Sequence, residues 1–181
     1  QPTIPEKNGW VDRGKLLAIA GRSRKPQLAL ADVFGLRDYP CPAGGCLLTD
    51  PAYARKLRDL ADHDRLTVEE VRLLRLGRHF RLSPEAKLVV GRNEAENDAL
   101  EKQALPGIIK IEPVDVPGPI GLLRAEWREP ELSLATRIVA RYSDGRDNEP
   151  VKLSVKRAGE TEESTLSSVA LDQEAIETLR I

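Results

Sequence analysis

Methionine is absent from this sequence, which opens on Gln1. An open reading frame begins with Met, so the chain is expected to be a fragment or a processed form. Whatever precedes Gln1 could then carry chemistry that this piece lacks. Aromatic residues make up only 4% of the chain, so aliphatic side chains must fill its core. No apolar run approaches the roughly 18 residues that a membrane helix needs. Residues 1–20 also lack the charged start, apolar middle and small-residue cleavage site of a signal peptide. No membrane partner is therefore expected, and a cytoplasmic location is. His63 and His79 are the only imidazoles, and Cys41 and Cys46 the only thiols. Their spacing matches no common zinc site, so no metal is expected. A Cys-x-x-Cys motif is missing, which argues against a thioredoxin-like redox protein. A large charge of one sign is missing as well. The net charge of −1 argues against indiscriminate nucleic-acid binding yet leaves room for a local basic face. The charge is unevenly spread: residues 1–60 hold ten Lys/Arg against six Asp/Glu, and residues 131–181 hold seven against ten.

What is present reads as an α+β chain, a small mixed sheet with packed helices preceded by a short helical segment. "DRGKLLAIAG" suggests a short helix ended by Gly21, and "SRKPQLALADVFGL" a second one. In the second, Ser23 is the N-cap, Pro26 sits in the first turn, and Leu28, Leu30, Ala31 and Phe34 form an inward stripe. Thr49 or Asp50 can cap a helix running from Pro51 through Leu60. Thr67 and Glu70 make a capping box for "TVEEVRLLRLG", which stops at Gly77. "HFRLS" and "AKLVVG" are strands around the Ser83-Pro84 turn, and "RNEAENDALEKQAL" is a helix stopped by Pro106-Gly107. "IIKIEPV", "GPIGLLRAE", "PVKLSVKR" and "STLSSVALD" read as strands, with the amphipathic helix "ELSLATRIVARYS" among them. The pattern changes near residue 65. Residues 1–64 are expected to be the tail of a preceding domain, and residues 65–181 a complete small domain.

The stretch "YPCPAGGCLLTDP" sets both cysteines on a Pro- and Gly-rich loop just before a helix start. Cys-x4-Cys is the wrong spacing for a zinc knuckle, and a reducing cytosol disfavours a permanent disulfide. Two readings remain. Gly44-Gly45 could make a tight turn with both thiols as small apolar fillers. Alternatively, the N–H groups and dipole of the following helix could lower a thiol pKa and favour thiolate for sulfur transfer.

Three segments carry candidate anion contacts. "GRSRK" supplies Arg22, Arg24 and Lys25 near one helix start. "GRHFRL" supplies Arg78, His79 and Arg81; strict alternation would bury Phe80 and Leu82 and expose His79 and Arg81. In "GRNEAEND", Asn93 is a good N-cap with Glu96 three residues on, and Asn97 lies one turn later on the same face. Arg92 beside two amides at a helix start suits a phosphate or a base edge.

Two resemblances then cover nearly the whole chain. "PTIPEKNGWVDRGKLLAIAGRSRKPQLALADVFGLRDYPCPAGGCLLTDP" resembles the C-terminal portion of PP-loop ATPases of the tRNA thiouridylase type, most specifically at "GRSRKPQ" and "PAGGCLLTDP". "GRHFRLSPEAKLVVGRNEAENDALEKQ" and "PVDVPGPIGLL" resemble the NFACT-R domain, an RNA-binding module fused behind such ATPases and related to modules of ribosome quality-control proteins. The match to the latter pattern falls on Gly91, Arg92, Asn93, Asn97 and Leu100; the aromatic-His stretch of the quality-control relatives is missing. The resemblance implies tRNA thiolation, in which ATP adenylates a uridine carbonyl and a cysteine persulfide delivers sulfur. The Ser-Gly-Gly phosphate loop would lie upstream of Gln1, so this piece needs no cofactor of its own and ATP belongs to the upstream domain. Cys46 is the implied sulfur-handling cysteine, with Cys41 the weaker candidate. Beside that resemblance, Arg22, Arg24 and Lys25 are expected to touch phosphate, and the partners to be tRNA or another structured RNA and a sulfur-donor protein. A non-catalytic module docking the ATPase onto that donor is the alternative, which the acidic balance of residues 131–181 fits.

Overall fold

A computed structural model describes residues 2–21, 23–38, 47–63, 66–125, 129–145 and 150–181. The chain falls into two compact units, Gln1–Gly44 and Gly45–Ile181.

The smaller unit contains helix α1 (Ile4–Lys7), a single 3-10 turn at Arg13–Lys15, and helix α2 (Lys25–Val33). Ser23 Oγ accepts from Lys25 N–H at 3.4 Å, Pro26 stands in the first turn, and Gly35 leaves the helix at φ +63°. Pro26 and Gly35 act as their positions suggested, but the N-cap is Arg24, one residue after the expected Ser23. The inward stripe is not realised, because none of the unit's described residues is buried; Phe34 is 67% exposed. Nor does a helix run from Asp12 to Gly21. Helices this short depend on packing an apolar face against something, and the unit's described residues form no core.

The larger unit is built on an antiparallel six-stranded sheet in the order β1-β2-β4-β3-β5-β6. Its strands are β1 (Arg78–Ser83), β2 (Ala86–Val90), β3 (Ile109–Pro113), β4 (Gly121–Arg124), β5 (Val151–Arg157) and β6 (Glu163–Ser168). The α+β class expected from the sequence is borne out. The mixing of α and β lies in the alternation of elements, since every described strand pairing is antiparallel.

Alternation along the strands sorts two faces. One carries Phe80, Leu88, Val90, Leu123, Ile109, Ile111 and Val155. Helices α6 (Glu129–Arg141) and α7 (Gln173–Leu179) cover it with Leu132, Ala135, Ile138, Val139 and Ile176. Helix α7, with Asp172 accepting from Ala175 N–H at 2.8 Å, was not foreseen from the sequence. The other face carries Val89 and Leu122, which pack with Leu73 of α4 (Val68–Leu73) and Leu100 of α5 (Glu94–Glu101). Helix α3 (Pro51–His63), capped by Asp50, packs Tyr53 and Leu60 against Leu74. The sequence grouped α3 with residues 1–64; its packing partners lie in the larger unit.

Beneath α3 and α4 the sheet sets three cations side by side, because Arg81 pairs with Lys87 and Lys87 with Arg124 across β1, β2 and β4. Like charges directly opposite one another repel. Two carboxylates from the covering helices offset this. Asp59 of α3 accepts from Arg81 (2.7 and 3.0 Å) and Lys87 (3.0 Å), and Glu70 of α4 pairs with Arg124. The expected capping box is therefore half made. Thr67 Oγ1 accepts from Glu70 N–H at 3.3 Å, while the Glu70 carboxylate is drawn to the sheet.

Gly77 joins α4 to β1 at φ +65°, and a Cβ there would lie 2.5 Å from the Val90 carbonyl oxygen in the neighbouring strand. Gly77→Ala combines a left-handed backbone with a clash against fixed backbone. It is expected to cost about 3 kcal/mol, measured as a lower urea midpoint at unchanged m-value; an unchanged midpoint would refute this.

At the outer edge of β1, Arg180 forms an antiparallel bridge with Phe80, and Ile181 N–H donates to His79 O at 3.1 Å.

Candidate nucleic-acid interface

The first turns of α3, the start of β1, the loop into α5 and the end of α7 enclose a cleft of about 450 Å³ beside the β1 edge. Five cations line it: Arg55 and Lys56 from α3, Arg78 from β1, Arg92 before α5, and Arg180 after α7. Glu177 is the acidic side chain in its wall. Each cation is held differently. Lys56 Nζ donates to the Leu74 and Gly77 carbonyls, both at 3.4 Å. Its burial, together with the charges of Arg92 and Lys87, lowers its pKa below the usual lysine value. Arg78 Nη1 donates to Gly91 O at 3.1 Å, and its guanidinium lies over the Tyr142 ring, 4.5 Å from the centroid. Arg180 pairs with Glu177 at 3.0 Å. Arg92, with 49% of its side chain exposed, pairs with Glu96, and that hydrogen bond raises the guanidinium pKa further. Among the described residues Arg55 has neither a hydrogen bond nor an ion pair, and it is exposed.

Of the residues expected to touch a ligand, the structure gathers Arg78, His79 and Arg92 at this cleft. His79 is corrected from exposed to buried, at 1% exposure. Alternation tells which face a strand residue takes, not whether that face is covered, and here the turn after α4 covers it. The ring's Nε2–H donates to Leu76 O at 2.8 Å, and Nδ1 has no partner among the described residues. Burial, with the charges of Lys56 and Lys87 beside it, depresses the imidazole pKa to about 3, so it is neutral. Arg81 forks onto Asp59 under α3, away from the cleft lining.

The two amides serve the fold. Asn93 Oδ1 accepts from Glu96 N–H at 3.0 Å and caps α5, as its sequence position suggested. Asn97 Oδ1 accepts from Ile120 N–H at 3.1 Å while its Nδ2 donates to Gly118 O at 3.4 Å, tying α5 to the loop before β4. A Cβ at Gly91 would overlap Asn97 Oδ1, so a side chain there would push that amide out of its hydrogen bonds. The "GRNEAEN" and "PGPIG" stretches are thus two halves of one structural clamp. Arg24 and Lys25 are exposed at the start of α2 in the smaller unit. Arg22, Cys41 and Cys46 lie outside the described residues.

Sequence reasoning missed Arg55, Lys56 and Arg180. Arg55, Lys56 and Arg58 do form a basic run, but Arg180 is brought to it only by the long return of α7 to β1. No helix among the described residues is long and apolar enough to cross a membrane.

A family profile described as the NFACT protein RNA binding domain matches residues 77–180. None of the curated proteins matches the chain. Among solved structures, the C-terminal part of the fibronectin/fibrinogen-binding protein from Streptococcus suis is similar, with 17% identity and a TM-score of 0.52 over 72% of this chain and 68% of that one. At that identity the likeness concerns the fold.

Proposed function

This chain belongs to the NFACT RNA-binding domain family, and from that premise we propose that the cleft beside β1 is where it holds RNA. The observation that supports this is the convergence of Arg55, Lys56, Arg78, Arg92 and Arg180 from separate elements onto one side of the sheet. Cations so placed neutralise phosphates and release counterions. The double variant Arg55→Ala/Arg180→Ala is expected to weaken RNA binding roughly tenfold or more and to flatten the slope of log K against log salt by about two contacts' worth. Neither residue takes part in the core, so the fold should survive. An unchanged Kd and salt slope would refute the assignment.

The finer reading is that the RNA is tRNA, positioned in the cytoplasm for uridine thiolation by an upstream ATP-dependent domain that receives sulfur from a donor protein. Its support is the resemblance of "GRSRKPQ" and "PAGGCLLTDP" to thiouridylase-type PP-loop ATPases, with Cys46 as the sulfur carrier and Cys41 as its resolving partner. Cys46→Ser in the full-length protein is expected to abolish tRNA thiolation at unchanged tRNA affinity; retained thiolation would reduce Cys46 to packing. A second reading makes the smaller unit a docking element for that donor protein. The solvent-facing Trp10, Val33 and Phe34 favour it.

A further inference from the structure

We infer, on the footing of that RNA-binding reading, that the cleft grips the sugar-phosphate backbone of paired RNA and does not read its bases. The aromatic, imidazole and amide side chains around it that could recognise a base are committed to the fold. The His79 ring is buried and turned onto the Leu76 carbonyl. The Tyr142 ring is covered by the Arg78 guanidinium, with Phe80 6.1 Å away. Asn93 and Asn97, whose amides are of the kind that reads base edges, are spent on capping α5 and on clamping Gly118 and Ile120. Among the described lining residues no exposed aromatic ring remains as a stacking platform. Recognition of single strands draws much of its affinity from such platforms.

What the cleft does offer is charge held in place. Arg78 is fixed between Gly91 O and Tyr142, Arg92 by Glu96, and Arg180 by Glu177. Cations at set positions match a ligand whose phosphates are already at set positions, as in an A-form helix. A single strand would have to be ordered on the surface at an entropic cost that no aromatic platform among the described lining residues offsets.

The test compares three probes on the full 181-residue chain by fluorescence anisotropy. They are an RNA duplex of about 20 base pairs, a scrambled duplex of equal length, and one unpaired strand designed not to fold, each at about 50 and 200 mM salt. The two duplexes are expected to bind within about twofold of one another and the single strand about tenfold more weakly. Arg55→Ala should weaken both duplexes by the same factor. A single strand bound as tightly as the duplexes, or a strong difference between the two duplex sequences, overturns the inference while leaving the RNA-binding cleft intact. Failure of all three probes to bind, or binding of all three indifferent to Arg55→Ala/Arg180→Ala, removes the cleft assignment itself and the inference with it.

Discussion

Asp59→Ala is expected to lower the unfolding free energy by about 3–5 kcal/mol, the usual cost of removing one partner from a buried charge cluster. Asp59 is the carboxylate that Arg81 and Lys87 share, and the Lys87 side chain is only 3% exposed. Without it, two adjacent strand cations lose the carboxylate they share beneath α3. Urea unfolding of the variant, with midpoint and m-value both measured, checks this; a loss under about 1 kcal/mol would mean that solvent reaches the cluster and screens it. A second readout separates charge from packing. Burial by itself would raise the Asp59 carboxyl, but hydrogen bonds and charge from Arg81 and Lys87 outweigh burial and hold it below its ordinary value of 3.8. The contribution is therefore fully present above pH 3.8 and is lost as pH falls through the lower folded value. Asp59→Ala should lack that acid-sensitive component. The consequence reaches the cleft, because α3 carries Arg55 and Lys56 and is fastened to the sheet at this point.

The second large effect is a loss of stability in mild acid that sets in above the range in which carboxylates titrate. Unfolded, His79 takes up a proton at its ordinary value of 6.5; folded, it does so only near pH 3. Stability is thus whole above pH 6.5 and declines as pH falls through the window from 6.5 to 3. Between pH 6.5 and 4.5, where Asp59 is still ionised, the decline is expected to reach about 2 kcal/mol. His79→Leu should flatten that segment of the curve at the cost of the Leu76 hydrogen bond. A wild-type protein equally stable at pH 6.5 and 4.5 would show that the ring finds a compensating partner when protonated.

Much of the fold was legible because its signals are local. Asn93, Thr67 and Asp50 cap the helices they precede, and Gly35 and Gly77 turn the chain through positive φ. The candidate site was legible only in part, and the failures share a cause. Asn97 was read as a ligand group because its partners, Gly118 and Ile120, stand more than twenty residues away. His79 and Arg81 were assigned to solvent because one strand's alternation carries no information about α3 and α4 closing over the sheet. Arg180 went unnoticed because the bridge to Phe80 that places it is a long-range pairing. Each error is one of tertiary covering, a quantity that short sequence windows do not contain.

That Phe80–Arg180 bridge has a bearing on how copies of this domain can associate. The sheet's two margins are unlike: beside β1 the backbone is engaged by Arg180 and Ile181, whereas β6, at the end of the strand order, presents Ser164, Thr165 and Ser167 to solvent. Strand addition through β6 would join two copies by the same surface of each, giving a closed, two-fold pair. The joined sheet would then end on two β1 margins, each partly engaged by Arg180 and Ile181. The residue that lends the cleft a cation thereby also engages the backbone at the β1 margin, leaving β6 as the margin more open to strand addition.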